Sequence, residues 1–311
     1  MTKFSDTRHS TVALTTLILA ELANGTKGHH LFGDLGRIKQ TAQTTYYVRT
    51  DGNDANNGSA NTSVGAFLTL QGAYDYICRY VDCAGFRAII KLADGTYTGT
   101  LLTRGKAPVG GAITIEGNTV SRTSVVLAAA TDTNCIEHYA SGSLLFVHGV
   151  TFKPAANYDS FRVGAAAPFN FTNVAFDVTN SPRCVIGYAQ SKAAVSWQDP
   201  YYEDFGSSEV IGPEGPTSVG YFWISVLGAS FEADHQLDIK CDITVTEHAW
   251  LVSEGNAQAD VPYTQDAAST GTVTGSRYLV NGNGVLNTFG SGDSYVPGSV
   301  AGTTATGGQV L

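Results

Sequence analysis

The sequence predicts an all-β chain wound as a parallel β-helix, and three observations carry that prediction. Leu145–Phe152, reading LFVHGVTF, returns 24 residues later as FNFTNVAF at Phe169–Phe176. Leu145, Val147, Val150 and Phe152 fall on Phe169, Phe171, Val174 and Phe176, and a period in the twenties is what one coil of a stacked solenoid requires. Composition agrees: 35 glycines, one methionine and only 14% charged residues among 311 suit strands and turns better than helices. Finally, helical spacing occurs once beyond residue 45, and the rest reads as short apolar runs separated by turn formers.

Taken in order, Met1–Thr44 differs from the remainder. Ser10 or Thr11 can N-cap a helix whose apolar residues are Val12, Leu14, Leu17, Ile18 and Leu22, with Asn24-Gly25 as the stop. A lone helix of this length is marginal in water, so these residues are expected to dock or oligomerise. His29–Gln40 is expected as a loop and a short helical turn. The run Val12–Ala23 is too short to span a bilayer, which needs about 20 apolar residues. Glu21 interrupts it, and no signal peptide is expected.

Tyr46–Arg49 reads as a strand and Asp51–Gly65 as a Gly/Asn/Asp-rich loop. Phe67, Leu70, Ala73, Tyr74, Ile77 and Val81 then recur at helical spacing, predicting one helix within 67–84. Its apolar face can cover the open end of a coil, which would otherwise expose strand edges. From Ala88 onward strands are predicted at Ala88–Leu92, Ala112–Glu116, Ser124–Leu127, Cys135–His138, Arg183–Ile186, Leu237–Thr246, Ala249–Val252, Gly271–Thr274 and Arg277–Val280. Ile224–Phe231 reads as a third copy of the repeat, with Gly228 in the place of Gly149 and Asn173, both tolerant of a left-handed turn. The stretch 187–221 breaks the period and reads as a loop excursion, with prolines, Trp197, Tyr201, Tyr202 and Phe205 interleaved with acids. The organisation is therefore 1–44 docking segment, 45–289 β-helix and 290–311 Gly/Ser/Thr-rich tail with little apolar surface of its own.

The opening text YYVRTDGNDANNG, then AFLTLQGAYDYI, then IIKLADGTY, resembles the start of right-handed parallel β-helix proteins of the pectate-lyase-like class. Its style is similar to that of bacteriophage tail fibres and tailspikes. The closing text SRYLVNGNGVLNTFGSGDSYVPGSVAGTTATGGQ resembles the ends of such fibre chains. The resemblance implies a helix that caps the first coil, a "DGTY" turn that begins the stack, and a homotrimer of rods. It also implies an N-terminus docked to other virion proteins of tail, baseplate or head, assembly in the host cytoplasm, and a distal face that meets host-surface glycan.

Candidate chemistry is sparse. Net charge is −9, which argues against tight phosphate binding, so no nucleic acid is expected. Cys78, Cys83, Cys135, Cys184 and Cys241 are odd in number and scattered, with no zinc spacing, and read as buried thiols. His29-His30 lacks a third ligand, and His138, His148, His235 and His248 sit in strand-like runs. In DGNDANNG, Ala55 stands where a calcium ligand is expected and no Glu closes the loop. No metal or cofactor is expected. A polysaccharide depolymerase would need paired carboxylates. Asp199, Glu203, Asp204 and Glu209 near the excursion, and Glu116, Glu137, Asp177 and Glu232 on the coils, stand at no spacing that forces a pair, so no catalytic residue is assigned. Trp197, Tyr201, Tyr202 and Glu203 are the expected glycan-contacting residues, since aromatic faces with polar tips stack on sugars. The expected function is a structural virion protein, a tail fibre or tailspike in host attachment. A depolymerase on the same scaffold and a head fibre or decoration protein are the alternatives.

Overall fold

The computed structural model describes residues 36–197, 208–233, 237–255, 257–260 and 270–311, without the side chains of Trp197, Ala233 and Asp260. Counts below refer to these residues. The predicted docking helix, with Val12, Leu14, Leu17, Ile18 and Leu22, lies outside them.

The chain is a parallel β-solenoid of about 7 turns. Six consecutive turns each give one strand to each of three sheets, of ten, six and eight strands. The turn Leu145–His148, Thr151–Lys153, Phe161–Val163 shows the unit, with one strand in each sheet in that order. Pairing is parallel throughout. The predicted 24-residue step is the observed register: Leu145 lies on Phe169, Val147 on Phe171 and Phe152 on Phe176. Strands turn alternate residues inward, so each inward position stacks on its counterpart in the next turn. Ile90, Ile115, Val147 and Phe171 form one such ladder, all buried.

The inner column is not uniform. On the eight-stranded sheet it runs Ile136, Phe161, Gly187, Trp223, Trp250, Tyr278. A Cβ on Gly187 would stand 2.6 Å from the Phe161 ring. Its absence lets Phe161 and Trp223, two turns apart, approach with ring centroids 5.8 Å apart. Trp223 also packs on Phe231 at 4.2 Å, and Phe152 stacks on Phe176 at 5.7 Å. Replacing one such buried ring by alanine typically costs ~3–5 kcal/mol. All five cysteines are buried and unpaired. Burial pushes the Cys78 and Cys135 thiols up to about 12 and raises Cys83, Cys184 and Cys241 as well.

The helix is Leu70–Tyr80, within the predicted span, with Leu70, Ala73, Tyr74, Ile77 and Cys78 buried. It packs on strands Thr44–Val48 and Arg87–Leu92. Thr69 is its N-cap and accepts from Gly72 N–H at 2.9 Å. The Asn/Gly loop supplies the rest of the start. The Asp54 carboxylate accepts from Leu68 N, Thr69 N and Thr69 Oγ1 at 2.9, 2.8 and 2.7 Å. A carboxylate at that end also complements the helix dipole.

Four expectations are corrected. Ile38–Lys39 pairs in parallel with Val81–Asp82, where a loop and helical turn were expected. Much of 187–221 is regular coil: Ala194–Trp197, Ser208–Ile211 and Thr217–Val226 supply one strand to each sheet. The Gly-Pro run at 212–216 turns the corner between the last two. The third copy, Ile224–Phe231, is out of phase. Gly149 and Asn173, at φ +67° and +47°, join the ten-stranded to the six-stranded sheet, whereas Gly228 joins the eight-stranded to the ten-stranded. Both corners read strand, Gly, strand, so text alone does not separate them. Residues 290–311 do not form a detached tail. Thr303–Thr304 pairs with Leu279–Val280, and Gln309–Val310 with Val285–Leu286. Backbone pairing to the preceding turn and burial of Val296 supply what the segment lacks in apolar content.

The corner containing Gly228 repeats as a ladder of two-residue turns. Ala165-Ala166, Ser191-Lys192, Leu227-Gly228, Gly282-Asn283 and Thr306-Gly307 all have positive φ at both positions. Each is closed by a backbone bond across the turn, as from Ala167 N to Gly164 O at 3.1 Å. Double positive φ is the type I′ signature, and Ala, Ser, Lys or Leu there carries strain. Leu227 is 47% exposed, so its side chain returns little. Leu227→Gly is therefore expected to stabilise the protein by about 0.5–1 kcal/mol, after allowing for the greater unfolded freedom of glycine. The check is an upward shift of the urea midpoint with unchanged slope.

Candidate functional site

Of the residues expected to contact glycan, only the backbone of Trp197 falls among the described residues. Trp197 ends the strand Ala194–Trp197 in the ten-stranded sheet, in register with Ala233. Its side chain, and Tyr201, Tyr202 and Glu203 entirely, lie outside the described residues, as do Asp199, Asp204, His29, His30 and His235. Most of the coil carboxylates are engaged. Glu209 pairs with Arg122 at 2.9 Å, Asp177 with Lys153 at 3.3 Å, Glu116 with Lys91 at 2.5 Å, and Glu137 accepts from Asn134 Nδ2 at 2.9 Å. Glu232 is exposed.

The histidines divide by environment. His148 is buried near Glu116, with Nε2 3.6 Å from the carboxylate. His248 is half-buried and bonds Ser276 Oγ at 3.0 Å, and burial lowers its pKa. His138 points inside the column. Its Nε2 lies 2.9 Å from Ser143 O and 3.1 Å from Pro168 O, and its Nδ1 lies 3.0 Å from Thr103 Oγ1. Two carbonyl partners require Nε2 to carry the hydrogen, and because burial disfavours the charged ring, Nδ1 is left as the acceptor for Thr103.

A cleft of ≈560 Å³ opens where the first strands of the ten-stranded sheet end, lined by Arg49, Asn61, Lys91, Asp94, Asn118 and Thr119 among others. Its charges satisfy one another. Arg49 is held by Asp51 at 2.8 Å and Asn61 at 3.1 Å, Lys91 by Glu116 and by Gly117 O at 2.8 Å, and Asp94 accepts from Asn118 at 3.0 Å. Such a cleft offers neither an uncommitted acid–base pair nor an uncommitted cation.

The outer face of the eight-stranded sheet is different. Its outward column reads Leu102, Glu137, Arg162, Tyr188, Ile224, Leu251, Leu279 on successive turns. Arg162 lies over Tyr188 at 4.8 Å from the ring centroid, Arg183 over the same ring at 5.1 Å, and Arg104 over Tyr139 at 4.9 Å. Gln190 Nε2 donates to the Tyr139 hydroxyl at 3.2 Å. Asp159, fully buried, accepts twice from Arg162, at 3.1 and 2.8 Å. Burial opposes the Arg162 charge, but Asp159 outweighs it and raises the pKa above the ordinary guanidinium value. Burial likewise raises the Tyr139 and Tyr188 hydroxyls. Further along the column, Cys184, Ile224 and Val226 form a small apolar cluster flanked by Tyr188, Tyr221 and Leu251. None of these cation–aromatic residues is singled out by sequence. The available signal was the register itself, which superposes Glu137, Arg162 and Tyr188 once the period is extended.

Among the described residues no three His, Cys, Asp or Glu side chains gather as a metal site, and no helix is long and apolar enough to cross a membrane. No protein-family model, curated protein or solved structure matches the chain. The geometry defines a fold class, a parallel β-solenoid, whose eight-stranded sheet carries a cation–aromatic outer face.

His138 generates a pH dependence. Burial takes its pKa down to about 4, against 6.5 for an ordinary histidine. Below pH 6.5 the unfolded chain binds a proton that the folded chain refuses. The stability contributed by neutral His138 is therefore full above that value and lost progressively toward pH 4, by on the order of 3 kcal/mol. Urea titrations at pH 7 and 4 should show that His138→Gln, though less stable at pH 7, loses correspondingly less on acidification.

Proposed function

We propose that this chain is a rod-like attachment protein of a bacteriophage particle, a tail fibre or tailspike, that holds a binding face against the host surface. The observation that carries this reading is the unbroken parallel register. Backbone pairing follows from Thr44 in the first strand to Val310 in the last, along one sheet. A column joined turn to turn in this way resists bending and holds side chains of distant sequence at fixed spacing, as an adhesive shaft requires. The likeness of Tyr46–Tyr97 and Ser276–Gln309 to phage fibre chains supplies the particle. In this reading the coil is right-handed, as nearly all parallel crossovers are, and the helix Leu70–Tyr80 closes its first turn. Three chains associate side by side, and residues 1–44 dock to other virion proteins.

Repetition of one weak contact three times gives avidity for a surface glycan. The mass in solution tests the assembly: a trimer is expected for the full chain at micromolar concentration and dissociation after removal of residues 1–44. A monomeric full chain overturns the trimer. Fluorescently labelled protein is expected to decorate intact bacterial cells of the host.

A further inference from the structure

The cation–aromatic face has a composition that packing alone does not demand. The chain carries 18 Lys and Arg against 27 Asp and Glu. Among the described residues Lys91, Lys106, Arg122, Lys153, Arg162 and Lys240 each sit against a carboxylate. Arg104 and Arg183 do not, and both lie beside Arg162 on the same face, fixed on tyrosine rings. A stacked guanidinium keeps its charge and its in-plane donors while losing rotational freedom. The arrangement is also built into the turns. Gly164 lies between Tyr139 and Gln190, and a Cβ there would stand 2.6 Å from the Tyr139 ring and 3.3 Å from Gln190. Without it, the ring lies across the intervening turn and reaches Gln190. Arg162 is aligned from below by fully buried Asp159, whose backbone N–H is held by Asn134 Oδ1 at 2.8 Å.

We propose that Arg104 and Arg183, seated on Tyr139 and Tyr188 on either side of the Asp159-paired Arg162, bind the carboxylate or sulfate groups of an acidic polysaccharide lying along the rod. The assignment rests on the attachment reading above and gives that reading a ligand class and a face. Spacing favours a glycan. Tyr139, immediately after the strand Ile136–His138, and Tyr188 in Cys184–Ala189 lie two turns apart, about 10 Å at the usual inter-strand distance. Duplex nucleic acid carries a charge every ~1.7 Å, which two uncommitted cations on a chain of net charge −9 match poorly. A polymer with one charge per sugar pair suits the row. Gln190 and the tyrosine hydroxyls add partners for its hydroxyl groups.

The test is binding of the full-length protein to hyaluronan, which carries one carboxylate per disaccharide, to dextran sulfate and to neutral dextran, with intact host cells as a fourth arm. Wild type should bind one or both acidic polymers in a salt-sensitive manner and dextran at least tenfold more weakly. The variant R104A/R183A should lose at least tenfold of the acidic binding, with R104K/R183K intermediate because charge remains but the planar stack does not. A melting curve for each variant separates loss of fold from loss of contact. Equal binding of dextran, or wild-type affinity in R104A/R183A, overturns the site. In that event, if the variant still decorates host cells, the attachment reading stands with its glycan elsewhere. Wild type that binds neither polymer nor cells overturns both.

Discussion

Everything in this molecule depends on a parallel hydrogen-bond ladder that must be renewed on every turn. Between its two end turns, each backbone segment in the column has one turn above it and one below, and buried peptide groups without partners are costly. The ladder fixes the register, and the register places Phe171 over Val147 and Tyr188 over Arg162. Because side chains alternate in and out with period two, a slip of one residue would carry a whole inner column into solvent. The apolar interior therefore both depends on the ladder and polices it.

The interior tolerates variety within that rule. Small residues make room for large ones on neighbouring turns, as Gly187 does for Phe161 and Trp223. Unequal turn lengths are absorbed at the corners. The step from Phe169 to Val195 is shorter than the step from Val195 to Phe231, yet both pairs stand in register. His138 shows the limit of this tolerance. A polar ring enters the core only because Thr103, Ser143 and Pro168 satisfy both its nitrogens, and it remains only in its neutral form.

The period, the inward residues and the helix Leu70–Tyr80 were legible because stacking imposes them on the sequence locally. Leu145–Phe152 and Phe169–Phe176 are neighbours in space and similar in text for the same reason. The phase of the third copy was not legible, since corners between different sheets share the pattern strand, Gly, strand. Nor was the turn ladder at Ala165-Ala166 and Ser191-Lys192, where the tertiary context imposes positive φ on residues that advertise none. The span 187–221 was drawn too broadly as an excursion, because its described parts carry a strand of each sheet and the Gly and Pro of 212–216 mark a corner between two of them. The cation–aromatic face stayed hidden for a further reason. Arg104 meets Tyr139, and Arg162 meets Tyr188, only after intervening turns have been wound, and no local spacing announces such contacts.

The five buried cysteines have a practical consequence. With every thiol enclosed and its ionisation pushed upward, an alkylating reagent can react only while the surrounding turn is open. Cys78 and Cys83 flank the end of the helix, Cys135 and Cys184 occupy middle turns, and Cys241 a later one. The chain thus carries its own set of sentinels, by which breathing at one end of the column can be timed separately from breathing at the other.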